Sequence, residues 1–271
     1  MSQKGKLQES HRTDAALAVY TNHLHVAYET NVILHGLDIE IPTGQCVAIT
    51  GSNGSGKSTF VKSLMGSAPV TDGEIEIFGK NPKSKGLFTS GKVDWDRIGY
   101  VPQRPSAPSP VSSTAREVVR SGLLGPKRPW HTPGSKQLTE AALTQVGLLH
   151  RADTPVQVLS GGQHQRIRIA RALVRDPDLF IADEPLAGID RHSQEKLADI
   201  IGSLKEQGKT ILLVLHELGP IEPHIDRVIN LASGHVTYDG PVQDTDEVQP
   251  GGFSPKLGHT DPHHHCGDHN D

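Results

Sequence analysis

The sequence predicts an α/β fold in which a mainly parallel sheet alternates with crossover helices. Three short apolar runs, at 46–50, 179–182 and 210–215, lack polar alternation, which is typical of strands covered on both faces. Two runs at 36–41 and 74–78 alternate apolar and polar side chains, so we expect half-exposed antiparallel strands there. Short β-rich runs and helix-like stretches follow one another along the chain, and this order favours a parallel sheet.

Helices are predicted where a helix-like stretch stops at a glycine. Residues 57–64 are followed by Gly66 and residues 191–207 by Gly208, and a glycine just past the last turn is a common helix end. The second of these helices connects the second and third buried strands. A third helix is expected over 136–149.

Residues 102–135 differ from the rest of the chain because proline, which disfavours regular helices and central strands, is frequent there. The prolines stand at positions 102, 105, 108, 110, 126, 129 and 133. We therefore interpret 102–135 as inserted, loop-rich material and 104–158 as a small, mostly helical subdomain that interrupts the sheet. The segment 245–271 is rich in Gly, Pro, Asp and His, and we expect it to be disordered when nothing is bound.

Composition excludes several classes of protein. A chain of 271 residues can bury one sizeable core with at most a smaller satellite. Two cysteines argue against a disulfide-held secreted domain, and Cys46, in a predicted buried strand, is expected to be unreactive. The polar first residues lack the apolar segment of a signal peptide, and the most apolar run, 211–215, is far shorter than the roughly 18 residues of a membrane span. We therefore expect a cytoplasmic protein that does not itself cross a bilayer.

The net charge of −4 arises mainly at the carboxyl terminus. Residues 241–271 carry six acids and one base, so the 27 basic and 31 acidic residues of the chain become 26 and 25 without them. This near-neutral remainder lacks the basic excess of a duplex-binding surface, so no nucleic acid partner is expected.

The strongest motif is a phosphate-binding loop with the pattern glycine, four residues, glycine, lysine, serine. It lies between the apolar run 46–50 and the helix predicted over 57–64, the strand–loop–helix context that the motif needs. Its glycines let backbone N–H groups turn towards phosphate oxygens, Lys57 would reach the β- and γ-phosphates, and Ser58 would supply a hydroxyl to Mg²⁺. A plain glycine-rich turn is the alternative. The candidate nucleotide-binding residues are Gly51, Ser52, Asn53, Gly54, Ser55, Gly56, Lys57, Ser58 and Thr59, the last assigned to the α-phosphate.

A second element places two carboxylates at the end of a buried strand. The apolar residues 179–182 run directly into Asp183 and Glu184. Open α/β sheets bind ligands at the carboxyl ends of their strands, and adjacent side chains leave a strand on opposite sides. Asp183 is therefore expected to reach Mg²⁺, and Glu184 a water in line with the γ-phosphate, as general base or water-orienting group. A solvated strand end is the alternative for this segment alone.

The pentapeptide Leu-Ser-Gly-Gly-Gln at 159–163, together with these two elements, resembles the nucleotide-binding subunits of ABC transporters over residues 17–240. The resemblance implies an ABC ATPase, a P-loop NTPase with a RecA-like parallel sheet, an antiparallel β subdomain and a helical subdomain. It also implies a homodimer, in which the signature opens a helix, here 161–175, and faces the ATP of the other protomer. The signature residues in question are Ser160, Gly161, Gly162 and Gln163. Ser160 and Gln163 also have the spacing of a capping box, a structural role that is compatible with the functional one.

The same resemblance implies further site residues. Gln103 corresponds to the glutamine that touches the metal and the attacking water and senses the membrane subunit, and His216 to the switch histidine at the γ-phosphate. Asp190 corresponds to the loop aspartate that communicates across the dimer, and Tyr28 to the aromatic ring on which adenine stacks. The implied catalytic residues are Lys57, Gln103, Glu184 and His216, and the implied Mg²⁺ ligands are Ser58, Gln103 and Asp183.

Two positions depart from the family pattern. Leu186 stands where many relatives have threonine, and Glu217 follows the switch histidine where aspartate is commoner. Neither change removes a catalytic group, so active ATP hydrolysis is expected.

The cargo has to be inferred from outside the ATP site. One nucleotide domain without a fused membrane segment is similar to bacterial importers, and residues 97–104 and 216–220 look most like the zinc and manganese uptake group. The resemblance implies a peripheral subunit on the cytoplasmic face of the cell membrane, with a membrane permease and an extracytoplasmic metal-binding receptor as partners. The tail is an independent argument for zinc, because imidazole and thiolate are preferred Zn²⁺ ligands. Its candidate ligands are His259, His263, His264, His265, Cys266 and His269.

Other readings stay open at this point. The chain could serve a transporter of another solute, or an exporter, with the same ATP site. A soluble ABC-type switch in translation or DNA repair usually fuses two nucleotide domains or inserts a long coiled coil, neither of which is present here. For the tail, a solvated polar terminus or the remnant of an affinity tag is the alternative.

Overall fold

The computed structural model describes residues 16–82, 92–103, 113–125 and 133–242. The strands are β1 (Leu17–Tyr28), β2 (Asn31–Pro42), β3 (Cys46–Thr50), β4 (Val70–Ile77), β5 (Ile98–Val101), β6 (Leu179–Asp183), β7 (Thr210–Val214), β8 (Arg227–Ala232) and β9 (His235–Gly240). They form a six-stranded sheet in the order β5-β6-β7-β3-β8-β9 and a three-stranded sheet in the order β2-β1-β4.

The larger sheet is the parallel sheet that the sequence predicts. Strands β5, β6, β7, β3 and β8 run parallel, and β9 pairs antiparallel with β8 at one edge. The three apolar runs are β3, β6 and β7, in which every residue is buried. Cys46 and Ala48 of β3 join one apolar cluster, whereas Val47 and Ile49 join another. Because both faces are covered, these strands need no polar alternation.

The smaller sheet contains the two alternating runs predicted from the sequence. The run at 36–41 lies in β2 and most of the run at 74–78 in β4, and both strands pair antiparallel with β1. The sequence interpretation did not identify β1, β5, β8 or β9. In β1 the register shifts repeatedly against its neighbours, so that Ala18 and Val19 are both buried. Such irregularities interrupt the two-residue period by which a strand is recognised.

Five helices are described: α1 (Lys57–Leu64), α2 (Ala115–Ser121), α3 (Ser135–Gln145), α4 (Gly161–Leu173) and α5 (Arg191–Glu206). The predictions for α1, α4 and α5 are confirmed to within two residues. The helix predicted over 136–149 is too long, because α3 stops at Gln145 and Gly147 has a positive φ of 68°. A left-handed glycine at this point ends the helix.

The loop-rich interpretation of 102–135 is wrong where α2 forms. The side chain of Thr114 accepts a hydrogen bond from the Glu117 backbone N–H, and the Glu117 carboxylate accepts one from the Thr114 backbone N–H. This capping box starts a helix in the proline-free interval between Pro110 and Pro126. Short 3₁₀ turns at Leu149–Arg151 and Val156–Val158 complete the described part of 104–158.

Candidate active site

The loops that follow four parallel strands lie at one edge of the larger sheet. The phosphate loop follows β3, and Gln103, Glu184 and His216 come after β5, β6 and β7. Parallel neighbours end at the same edge, which is where open α/β sheets bind ligands. Hydrogen bonds from Ser58 to Asp183 and from Gln103 to Glu184 connect these loops directly. The structure therefore brings the phosphate loop, the paired acids and Gln103 together.

The phosphate loop has a backbone that requires glycine at two positions. Gly51 has a φ of 139° and Gly56 a φ of 104°. A Cβ on Gly51 would lie 2.1 Å from the Leu231 carbonyl oxygen, and one on Gly56 would lie 2.6 Å from Leu34 Cδ2. Any side chain at either position would collide with its neighbours as well as strain the backbone. These glycines therefore fix the path by which the chain enters α1.

The amino-terminal end of α1 is open to an anion. Its N-cap, Gly56, has no side chain to accept a hydrogen bond from the first turn, and the first turn contains no acidic residue. The hydroxyl oxygens of Thr50 and Ser55 are buried without a hydrogen-bond partner among the described residues. Free N–H groups at a helix start, next to unsatisfied hydroxyls, suit phosphate oxygens.

Lys57 is buried within the loop. Its Nζ donates to the carbonyl oxygens of Gly51 at 2.7 Å and Ser52 at 2.8 Å. Burial lowers the pKa of the Lys57 ammonium, and the carboxylates of Glu184 and Asp183 act in the opposite direction. A phosphate oxygen would be a stronger acceptor for this group than a neutral carbonyl, because the hydrogen bond would join two opposite charges.

Ser58 and Asp183 present two oxygens close enough to share one cation. Ser58 Oγ lies 3.4 Å from Asp183 Oδ1, and Asp183 is only 4% exposed. Burial raises the pKa of the Asp183 carboxyl, whereas the hydrogen bond from Ser58 lowers it. A hydroxyl and a buried carboxylate are the hard oxygen ligands that Mg²⁺ takes beside phosphates, so these two residues fit the ion.

Gln103 pairs with Glu184 in this structure rather than with the other two expected Mg²⁺ ligands. Its Nε2 donates to Glu184 Oε2 at 2.8 Å. An amide N–H can only donate, and the Glu184 carboxylate is the acceptor that it meets. The two adjacent acids thus have different partners, as expected for side chains that leave a strand on opposite sides. A metal contact by Gln103 stays a prediction.

The backbone of Glu184 is itself unusual. Its φ is 50°, a left-handed value that costs a non-glycine residue about 1–2 kcal/mol. Its N–H donates to the Val214 carbonyl at 2.9 Å, so the ladder between β6 and β7 extends one residue beyond β6. Backbone strain of this kind concentrates at functional sites, where the surrounding structure holds it in place.

The signature residues form the start of α4. Ser160 Oγ accepts from the Gln163 N–H at 3.2 Å, and Gln163 Oε1 accepts from the Ser160 N–H at 3.0 Å, which confirms the capping box. Ser160 and Gly161 are exposed, whereas Gly162 is buried. A Cβ on Gly162 would lie 1.9 Å from Ser193 Oγ, so α4 and α5 approach closely here. The exposed edge is therefore rigidly capped and accessible to another molecule.

Asp190 caps α5 through a residue that the sequence interpretation missed. Asp190 Oδ1 accepts from the Ser193 N–H at 2.9 Å, and Oδ2 accepts from the Ser193 hydroxyl at 2.8 Å. These bonds, the backbone one most of all, lower the pKa of the Asp190 carboxyl. Part of the signal was available, because an aspartate directly before a helix is a preferred N-cap residue. A role of Asp190 across a dimer stays a prediction.

Two further predicted site residues are exposed. Tyr28 ends β1 with 41% of its surface accessible, and His216 is exposed two residues after β7. An accessible tyrosine ring can stack on a nucleobase. Within the described ranges, neither residue forms a hydrogen bond or ring contact with the phosphate loop. Their assigned roles therefore rest on the sequence.

The predicted zinc ligands of the tail lie outside the described residues. Within the four described ranges, no group of three or more His, Cys, Asp and Glu side chains is arranged to hold a metal ion. The helices found in those same ranges are all too short or too polar to span a membrane.

Comparisons with known proteins point to one family. Residues 34–187 match the family described as ABC transporter. The manganese transport system ATP-binding protein MntB of Bacillus subtilis (strain 168) is 34% identical, over 85% of this chain and 89% of that protein. The zinc transport system ATP-binding protein TroB of Treponema pallidum (strain Nichols) is 38% identical, over 84% of this chain and 82% of that protein. The phosphonates import ATP-binding protein PhnC of Stutzerimonas stutzeri is 34% identical, over 83% and 84% of the two chains.

A solved structure has the same fold. The ATP-binding cassette MJ0796, dimeric in a post-hydrolysis state bound to ADP and Pi, superposes with a TM-score of 0.71 at 27% identity. The match covers 83% of this chain and 99% of that one.

Proposed function

The chain belongs to the ABC transporter family as an ATP-hydrolysing subunit, and on that premise we propose that it powers the import of a divalent metal ion, zinc or manganese. The proposal of a metal cargo is supported by one observation. Relatives named for manganese and zinc transport are 34% and 38% identical over most of this chain. A phosphonate importer is 34% identical as well. Identity at this level therefore extends to importers of different solutes, and the cargo needs a test of its own.

The site would hold ATP by its phosphates and its base. The N–H groups at the start of α1 and the Lys57 ammonium would bind the β- and γ-phosphates, and Thr59 the α-phosphate. Tyr28 would stack on adenine. Ser58 and Asp183 would hold Mg²⁺, which, when bound, draws negative charge from the phosphate oxygens. The supporting observations are the uncapped helix start, the unsatisfied hydroxyls and the Ser58–Asp183 separation.

Glu184 is the group that we assign to the attacking water. Its carboxylate stands at the carboxyl edge of the sheet and accepts a hydrogen bond from Gln103 at 2.8 Å, which restricts its orientation. A carboxylate in this position can orient the water and take its proton. His216, after the adjacent strand β7, would contact the γ-phosphate.

Each site would be completed by a second copy of the chain. The exposed, capped start of α4 carries the partial positive charge of a helix amino terminus, which suits the γ-phosphate bound by the other protomer. The MJ0796 cassette, which has the same fold, is dimeric in its solved structure. ATP would close the dimer through Ser160, Gly162 and Gln163, with Asp190 communicating across it, and hydrolysis would let it open.

The remaining parts of the proposed importer lie outside this chain. A membrane permease would form the path, an extracytoplasmic receptor would deliver the metal, and this chain would bind the permease at the cytoplasmic face of the membrane. The support is that relatives are named as the ATP-binding proteins of transport systems. The histidine-rich tail would bind Zn²⁺, a proposal that rests on its sequence alone.

Metal uptake in cells that lack this chain tests the cargo. The cells receive either the wild-type chain or Glu184→Gln, and accumulation of manganese, zinc and a phosphonate is measured. The wild-type chain should restore uptake of at least one metal, and Glu184→Gln should restore none. Restored phosphonate uptake without metal uptake would assign another solute, and equal metal uptake with both chains would contradict ATP-driven import.

A further inference from the structure

Arg168 links the signature helix to the end of strand β5. Its side chain leaves α4 about two turns after the helix start, and its Nη2 donates to the carbonyl oxygen of Pro102. Its Nη1 donates to Gln165 Oε1 on the same helix at 3.2 Å. Because Gln165 is only 2% exposed, the guanidinium is oriented by a fixed neighbour. Arg168 is thus a defined connection between two elements of the site.

The connection continues to Glu184. Pro102 is followed directly by Gln103, whose Nε2 donates to Glu184 Oε2 at 2.8 Å. The Pro102 carbonyl and the Gln103 nitrogen belong to one planar peptide unit, so a bond that holds the carbonyl also sets the direction in which Gln103 leaves the strand. One peptide unit, the Gln103 side chain and two hydrogen bonds therefore connect the Arg168 guanidinium to the Glu184 carboxylate.

The charge of Arg168 also acts on a side chain of strand β5. Burial and the Asp183 carboxylate raise the pKa of Tyr100 on β5, and Arg168 acts against both. The guanidinium therefore lies close enough to β5 for its charge to act on Tyr100, in addition to its hydrogen bond with the Pro102 carbonyl.

We propose that Arg168 is a positioning residue, which orients Gln103 against Glu184 according to the position of the signature helix. When α4 moves to engage the nucleotide of the other protomer, Arg168 carries that movement to the Pro102 carbonyl and so to Gln103. The inference rests on the proposed function, because it takes Glu184 as the group that acts on water. It adds a path inside one protomer from the signature to hydrolysis.

A double-mutant cycle on ATP hydrolysis by the full-length chain tests the proposal. Arg168→Met keeps the aliphatic stem and removes the donors, and Gln103→Leu removes the amide. We expect Arg168→Met to lower kcat about tenfold while KM for ATP changes less than about twofold, because the lost interaction positions the reacting groups and does not bind substrate. In the Gln103→Leu background, Arg168→Met should have no further effect.

Two control variants make the outcome decisive. Arg168→Lys retains a donor and should recover most of kcat, and the exposed Arg151→Met should hydrolyse ATP like the wild type. The proposal would be overturned if the kcat of the double variant fell by the product of the two single-variant decreases. It would also be overturned if Arg168→Met changed KM for ATP and left kcat unchanged. Should Arg168→Met fail to fold by circular dichroism, Arg168→Gln takes its place in the same cycle. Wild-type turnover by Glu184→Gln would instead refute the proposed function, so the two failures are distinguishable.

Discussion

Lys57 shows how one residue can serve folding and binding at once. In the structure its ammonium is held by two carbonyls of its own loop, at the place where the phosphates are expected. This arrangement keeps a buried cation hydrogen-bonded, as a buried charge requires. The same ammonium is the group that we assign to the β- and γ-phosphates.

Lys57→Ala is expected to weaken ATP binding at least about tenfold, because it removes a charge-assisted hydrogen bond of about 1.5–3 kcal/mol. Lys62→Ala is the matched control, since Lys62 is an exposed lysine of the same helix. Titration with a fluorescent ATP analogue measures both affinities. Equal affinities for the two variants would remove the assigned role of Lys57.

Cys46 is predicted to be chemically silent in the folded protein. Its side chain is fully buried in β3, and burial raises the pKa of its thiol to about 12. At pH 8 only about one thiol in ten thousand is then the reactive thiolate. In a Cys266→Ser chain, a thiol reagent should modify no cysteine under native conditions and one after unfolding in denaturant. Rapid native modification would show that β3 is not packed as described.

A comparison of the starts of α2 and α4 can distinguish the contribution of a helix cap to stability from its contribution to ATP hydrolysis. Both carry a complete capping box, but only the one at α4 includes signature residues. Thr114→Ala and Ser160→Ala should each lower the free energy of unfolding by about 1 kcal/mol. Only Ser160→Ala should also reduce ATP hydrolysis, by at least about tenfold, because its hydroxyl is assigned to the nucleotide of the other protomer. Denaturant unfolding and phosphate release measure the two effects, and equal activity in both variants would leave the signature with a capping role alone.

The histidine-rich tail is a separate element with its own test. Deleting residues 259–271 removes all six candidate ligands and none of the groups assigned to ATP. We expect the deletion to leave ATP hydrolysis within about twofold and to reduce Zn²⁺ binding by the chain, because imidazole and thiolate are preferred zinc ligands. Isothermal titration with Zn²⁺ provides the measurement. The same Zn²⁺ stoichiometry before and after deletion would exclude the tail as a binding site.

Elements were predictable where local signals and burial agree. The fully buried β3, β6 and β7 and the glycine-terminated α1 and α5 follow from short runs of sequence. Helix α2 was not predicted because prolines flank it, although its capping box is visible in the sequence. The predicted α3 is too long because Gly147 was not taken as the glycine that ends the helix. Strand β1 was not predicted, because shifts of its register against both neighbouring strands interrupt the alternation of buried and exposed residues.

The sequence predicted which chemical groups form the site better than it predicted which of them contact one another. The phosphate loop and the paired acids are contiguous, so their residues could be assigned directly. The Gln103–Glu184 bond and the contact between Gly162 and Ser193 join residues far apart in sequence, and only the packed sheet and helices bring them together. Local patterns carry no information about such distances.

At the scale of the whole molecule, two apolar clusters cover the faces of the larger sheet and leave its carboxyl edge for the nucleotide. The signature lies on the exposed start of α4, so in the proposed dimer each chain would supply two different surfaces, one to each of the two sites. This division explains why a single protomer is expected to bind ATP and yet require a second copy for hydrolysis.

The central claim is that two copies of this chain enclose Mg²⁺-ATP between the phosphate loop of one and the signature of the other. The most direct test is the mass of Glu184→Gln in solution, measured by light scattering with and without Mg²⁺-ATP. Because this variant should bind ATP without hydrolysing it, we predict a monomer without nucleotide and a dimer with it, and no dimer once Ser160→Arg is added. A monomer at saturating Mg²⁺-ATP, or a dimer that forms equally well with Ser160→Arg, would contradict the account.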